Sequence, residues 1–147
     1  MVREAAVLCA TIPAKRIHAC GAHLSSGTAN DDRERGAPYR TRQIKELMSH
    51  SARPGYRTVF GGDLNVIPPN SGDGGAAGRR TVMSAYRAYQ ECDQHGAGRT
   101  GRWTHSGGKV RKKLDHLFAP PGSVRLCRIG QLTPLSDHRP LYIKLAL

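Results

Sequence analysis

The chain has 147 residues and a mass of 16.0 kDa, which suits one domain and leaves little room for two. With 23 Lys and Arg against 11 Asp and Glu it carries a formal charge of +12. Its 38% hydrophobic content is too high for simple disorder. Aromatics at 5% argue against a stacking platform for single-stranded bases, and no stretch approaches the ~18 apolar residues of a membrane-spanning helix.

In chain order, Ala5–Ile12 and Arg16–Leu24 read as two strands joined by the turn Pro13-Ala14-Lys15. The polar stretch Ser25–Pro38 has the composition of a loop. Thr41–Ala52 reads as a helix capped by Thr41, with Ile44, Leu47 and Met48 at helical spacing. Pro54-Gly55 ends it, and Arg57–Phe60 is a short strand running into Gly61-Gly62-Asp63-Leu64-Asn65. A Gly-rich loop over 68–78 precedes a second expected helix, Thr81–Cys92, and a further loop over 96–108 holds Trp103. Lys113–Ala119, Val124–Ile129 and Pro140–Leu147 read as strands. Strands interleaved with helices predict an α/β layered fold, in one domain over 1–147.

Four cysteines, Cys9, Cys20, Cys92 and Cys127, include no C-x-x-C pair, which argues against a zinc ribbon. A hairpin centred between Ala14 and Lys15 sets Cys9 directly opposite Cys20, within disulfide reach, and leaves Cys92 and Cys127 for each other. Four buried thiols satisfy the same count; two disulfides would mean an oxidising compartment. The N-terminus Met1-Val2-Arg3-Glu4 does not read as a signal peptide.

The positive charge is concentrated. Between Arg99 and Arg128 stand eight basic residues and one acid, Asp115. Within that stretch Arg102, Lys109, Arg111 and Lys112 are candidates for binding a phosphate-bearing substrate, since clustered cations attract polyanions.

Polar residues at the ends of apolar strands are where α/β proteins carry chemistry. In Gly-Asp-Leu-Asn, Asp63 and Asn65 share a face of an extended chain while Leu64 points inward; a carboxylate beside a carboxamide suits a hard cation or a phosphoryl oxygen. An Asx turn ending a strand accounts for the same residues. Asp115, within the apolar run Leu114–Phe118, is costly to bury alone. Its candidate partners are Lys112 or Lys113 as a salt bridge, or the imidazole of His138, whose tautomer it would fix. Asp137 and His138 are adjacent, so each faces a different partner. His23 ends a strand and could donate to a phosphate oxygen.

Taken together and in this order, His23-Leu24, Gly62-Asp63-Leu64-Asn65, Leu114-Asp115-His116-Leu117-Phe118 and Ser136-Asp137-His138-Arg139-Pro140-Leu141 resemble the endonuclease/exonuclease/phosphatase superfamily, the fold of DNase I. Trp103-Thr104-His105 is similar to that family's Thr-bearing loop. The resemblance implies part of a four-layer α/β sandwich with mixed, largely antiparallel sheets, seen here from its C-terminal half. It implies a phosphoesterase using Mg²⁺ (or Mn²⁺ or Ca²⁺), with a nuclease favoured by the basic stretch. In it His23 would contact the scissile phosphate, Asp63 would orient or deprotonate water or protonate the leaving oxygen, and Asn65 would hold phosphate or metal. Asp115 would orient His138, His138 would stabilise the phosphorane or act as acid or base, and Asp137 would help Asp63 and Asn65 bind the cation. The family's metal-binding Glu belongs to an N-terminal half that precedes these motifs; Glu4, Glu34, Glu46 and Glu91 are not in its context. The expected form is a monomer, secreted in its full-length form. The competing readings are a non-catalytic remnant that binds nucleic acid by charge, and a phosphomonoesterase or sphingomyelinase-type hydrolase.

Overall fold

A computed structural model describes residues 6–25, 39–69, 76–96 and 102–146. Strand β1 (Val7–Ile12) turns through a single 3-10 turn, Pro13–Lys15, into β2 (Ile17–Ala22). Pro13 starts this turn, and Arg16 closes it in the left-handed region at φ 51°, its amide donating to the Pro13 carbonyl. The strands pair antiparallel with Cys9 opposite Cys20, and the two are disulfide-bonded, as the turn position predicts. Cys92 and Cys127 form the second disulfide.

Helix α1 (Tyr39–Ser51) crosses from β2 to β3 (Arg57–Asp63), which lies parallel to β2. The helix starts two residues before the expected Thr41, so Thr41 lies within its first turn rather than capping it. Helix α2 (Ala76–Ala88) is displaced from the expected Thr81–Cys92. It reaches back into the segment read as a Gly-rich loop and ends early, because Gln90–Glu91 leave it as strand β4 and pair with β7 (Asp115–Ala119). β7 is antiparallel to β3, giving a mixed five-stranded sheet of order β1-β2-β3-β7-β4.

The segment read as loop over 96–108 contains part of a hairpin, β5 (His105–Gly107) and β6 (Val110–Lys112). Gly108 at φ +61° is the first residue of its two-residue turn, a position that favours glycine. Strands β8 (Val124–Ile129) and β9 (Leu141–Leu145) form a second hairpin. All but Ser25 of the polar stretch expected over 25–38, and most of the Gly-rich loop, lie outside the described residues.

The core lies on one face of the large sheet. Ile44 and Leu47 of α1 and Val82, Ala85 and Tyr86 of α2 cover Phe60 and Phe118, which stack at 5.0 Å across β3 and β7. Strand alternation then puts Asp63 and Asp115, directly paired in register, on the opposite face. One face of the sheet is thus buried under helices, while the other carries Leu8, Ile12 and Leu117 and presents the two carboxylates at one end.

Candidate active site

The end of β3 is held on both sides. The Leu24 amide donates to the Asp63 carbonyl at 2.9 Å, and the Leu64 amide to the Leu114 carbonyl at 3.0 Å. A methyl at Gly61 would run into the His116 carbonyl, and one at Gly62 into that of Ala22; Gly62 also sits at φ +126°. The two glycines therefore let β2, β3 and β7 close up where the carboxylates emerge. Asn65 continues the chain in the left-handed region at φ 50°, which asparagine tolerates. Its amide donates to Asp63 Oδ1 at 2.9 Å, its Nδ2 donates to the Leu24 carbonyl at 2.9 Å, and Arg40 donates to its carbonyl.

Asp63 Oδ2 lies 3.3 Å from His23 Nε2 and 3.7 Å from His138 Nε2. His138 Nδ1 is 2.8 Å from Asp115 Oδ2. Of the partners open to Asp115, the structure selects His138. Lys113 goes elsewhere, buried against Glu91 at 2.9 Å, and so leaves the basic surface that the sequence suggested. The site thus collects His23 after β2, Asp63 at the end of β3, Asp115 at the start of β7 and His138 before β9.

The placement of His138 has a visible cause. The Arg139 amide donates to the Thr104 carbonyl at 2.7 Å and the Ser106 amide to the Asp137 carbonyl at 2.9 Å, zipping residues 137–139 onto the start of β5. Thr104 Oγ1, fully buried, accepts the amides of Leu114 and Asp115 at 3.0 Å each. One threonine thus fixes both the backbone under Asp115 and the segment that carries His138. A cleft of about 440 Å³, lined by Asp115, Thr133, Ser136, His138 and Leu141 among others, opens beside the pair.

Electrostatics tune the cluster. Burial pushes the Asp63 carboxyl up, helped by the Asp115 charge, against the Asn65 amide and the His138 and His23 imidazoles, which pull it down. For His138 burial acts downward, but the hydrogen bond and charge of Asp115, with Asp63 and Asp137, outweigh it and raise the imidazole above its ordinary value. A carboxylate that holds its proton more tightly than usual faces an imidazole that stays cationic longer.

Asp137 is two-thirds exposed and groups with His105 and His138, not tightly with Asp63. Of the expected substrate-binding cations, Lys109, Arg111 and Lys112 lie exposed on the β5–β6 hairpin, Arg111 over the Trp103 ring at 4.7 Å. Arg102 does not join them: it binds Asp93 at 2.6 and 2.8 Å and the Cys127 carbonyl at 3.2 Å. Asp93 is 2% exposed while the Arg102 side chain keeps 45% of its surface, so a surface guanidinium caps a buried carboxylate. Glu91 is enclosed by Lys113 and by the amides of Asp93 and Leu117, with no route to the cluster; Glu4 and Glu34 lie outside the described residues. Two side chains at the site carried no individual prediction. Thr104 was readable only through its Trp-Thr-His setting, and nothing local marks His105, whose ring packs 4.7 Å from that of His138.

Among the described residues no helix is long and apolar enough to cross a membrane. A comparison with curated proteins finds no match. Solved structures do match. A Neisseria 3′ phosphatase, NExo, bound to a product DNA hairpin aligns with TM-score 0.65 at 12% identity, over 96% of this chain and 65% of that one. D. rerio TDP2 with a single-strand DNA product aligns with TM-score 0.64 at 18% identity, over 96% and 61%. The human Nocturnin catalytic domain with bound sulfate gives 0.53 at 15%, over 87% and 47%. The chain thus spans less than two thirds of each, and the shared feature is the DNase I-like α/β fold. A model of the Endonuclease/Exonuclease/phosphatase family matches residues 7–138, a span that includes the first three motif segments and Ser136-Asp137-His138 of the fourth, and the chain belongs to that family.

Proposed function

We propose that this chain hydrolyses phosphodiester bonds of nucleic acid with a divalent cation as cofactor. The observation that carries the reading is the convergence of His23, Asp63, Asp115 and His138, from four separated segments, within 3.7 Å contacts at one end of the large sheet. A structural Asx turn would not need two histidines and a second carboxylate around Asp63.

Hydrolysis at phosphorus requires that a water lose a proton as its oxygen bonds to phosphorus and that the ester oxygen leave, while charge grows on the nonbridging oxygens. Asp63, with its carboxyl raised by burial, is a better base than an ordinary aspartate and takes the water proton. His138, kept cationic by Asp115, donates Nε2–H to a nonbridging oxygen, and exposed His23 donates to another. The oxygen donors fit a Mg²⁺-type ion. Asp63, with Asn65 two residues on, would offer it hard oxygen donors, Asp137 standing apart with His105 and His138, and such an ion keeps several waters and takes the remaining oxygens from phosphate. Bound there, the cation would neutralise phosphate charge; Mn²⁺ and Ca²⁺ suit the same oxygens. Lys109, Arg111 and Lys112 would bind the flanking phosphates. The two disulfides support a secreted protein in an oxidising compartment.

The test is single-turnover cleavage of an end-labelled oligonucleotide, with a 3′-phosphomonoester substrate in parallel, in Mg²⁺ and in EDTA. Metal-dependent diester cleavage that disappears in Asp63→Ala is expected. Turnover of the monoester alone would move the substrate class. Uncut substrate at every metal concentration, from protein shown to be folded, would overturn the proposal.

A further inference from the structure

The structure assigns a second, softer metal site to His105, Asp137 and His138, and we propose that it takes Zn²⁺. The oxygen set suited to Mg²⁺ does not use His105. Yet His105 Nε2 stands 3.3 Å from Asp137 Oδ2, and one ligand atom from each of the three residues lies within 4.8 Å of the others. Two donors on a tetrahedral zinc, each about 2.0–2.1 Å from the ion, are about 3.4 Å apart. The observed pair already has that spacing. Two imidazoles with one carboxylate also form a donor set that borderline-soft zinc prefers and Mg²⁺ does not.

A second observation points the same way. His138 Nδ1 is engaged by Asp115 at 2.8 Å, which leaves Nε2, 3.7 Å from Asp63 Oδ2, as the nitrogen that can face an ion. A carboxylate holding one nitrogen of an imidazole while the other faces an ion is the usual support of a zinc-bound histidine. His105 is largely enclosed and its ring is set against that of His138 at 4.7 Å, so both rings are ordered before any ion arrives. Among the described residues the cluster Cys9, His18 and Cys20 is no rival for zinc, because both of its sulfurs are in a disulfide.

The consequence follows if the proposed function holds: zinc on Nε2 removes the group that His138 would offer a phosphate oxygen, so zinc inhibits the Mg²⁺ reaction. The binding claim itself is independent of activity. Metal-free protein is titrated with Zn²⁺ by calorimetry and with Co²⁺ by visible absorption, for the wild type, His105→Gln and Asp137→Asn. One ion per chain is expected, with the intense visible bands of four-coordinate cobalt, not displaced by excess Mg²⁺. Each variant should bind about 10–100-fold more weakly. The exposed position of Asp137 keeps the comparison usable should His105→Gln misfold. In the activity assay His105→Gln should need correspondingly more Zn²⁺ for inhibition. Absence of the cobalt bands, displacement by Mg²⁺, or equal affinity in wild type and both variants would overturn the site, whether or not the protein hydrolyses phosphate esters.

Discussion

His138 serves a phosphate oxygen only while Nε2 carries a proton, and Asp115 sets the pH range over which it does. With Asp115 at 2.8 Å the imidazole holds its proton above its ordinary pKa, while Asp63 must be ionised to accept one. Activity should therefore fall on the basic side as His138 deprotonates. Asp115→Asn removes the largest upward contribution, so this basic limb should move to lower pH, and kcat/KM should drop about 10²–10⁴-fold. The double variant Asp115→Asn/His138→Ala should be no worse than His138→Ala alone, because both changes disable one unit. Full additivity in the pH–rate profiles would separate the two residues. A second residue-scale prediction concerns stability. His116 is fully buried, with Nε2 donating to the Val66 carbonyl at 2.7 Å and Nδ1 facing the Tyr86 hydroxyl at 3.2 Å. Burial, reinforced by Lys113, pushes its pKa down from 6.5 to about 3. Below pH 6.5 the unfolded chain thus binds a proton that the fold refuses. Its contribution is complete above pH 6.5 and declines as the pH falls toward 3, at about 1.4 kcal/mol per unit. Urea midpoints from pH 7 to 5 should show this slope in the wild type and lose it in His116→Gln. Taking the difference between the two curves isolates it from Glu91, whose raised carboxyl acts in the opposite sense.

At the scale of elements, what the sequence revealed and what it hid divide along the distance of the deciding contact. The β1–β2 hairpin and its Cys9–Cys20 register were legible because one three-residue turn determines both. Asp63 and Asn65 are neighbours for a local reason other than extended alternation: β3 ends at Asp63, and the left-handed Asn65 closes an Asx turn with its amide on Asp63 Oδ1. The end of α2 was not legible, because Gln90 and Glu91 leave the helix to pair with β7, almost thirty residues downstream. Lys113 looked like a surface cation for the same reason: its partner Glu91 is 22 residues away. The β5–β6 hairpin did have a local cue, Gly107-Gly108 between two short runs, masked by its polar setting. The close approach at the end of β3 yields an element-scale prediction. Gly62→Ala meets the Ala22 carbonyl and an unfavourable φ together, so it should lower unfolding free energy by at least about 2 kcal/mol. Because β2 leads directly into His23, the same variant should depress activity in protein that remains folded. An unfolding curve like that of the wild type would show that β2 and β3 tolerate separation there.

Across the whole molecule the question is which part of the +12 charge faces a partner. The stretch from Arg99 to Arg128 reads as one basic block in sequence, but the fold divides it. Lys113 is buried on Glu91 and the half-exposed Arg102 is committed to Asp93, while Lys109, Arg111 and Lys112 stay exposed on the hairpin whose first strand carries His105 beside His138. The two groups should behave differently toward a duplex. Affinity that depends on phosphate neutralisation falls with salt at a slope of about 0.9 per contact. Replacing Lys109, Arg111 and Lys112 by Gln should therefore flatten a log K against log salt plot by up to about 3 and weaken binding to unrelated sequences alike. Stability should change little, since the three positions are exposed. Arg102→Gln should do the reverse. It takes the guanidinium from the Asp93 carboxylate, which is 2% exposed and keeps the residue-102 amide, and releases the Cys127 carbonyl, so it should lower the unfolding midpoint while leaving the salt slope of the folded fraction near that of the wild type. Fluorescence anisotropy over a salt series, paired with denaturation curves for both variants, measures the two quantities separately. If Arg102→Gln lowered the slope as much as the hairpin variant, its guanidinium would have to reach the nucleic acid rather than Asp93, and the division of charge drawn from the fold would be wrong.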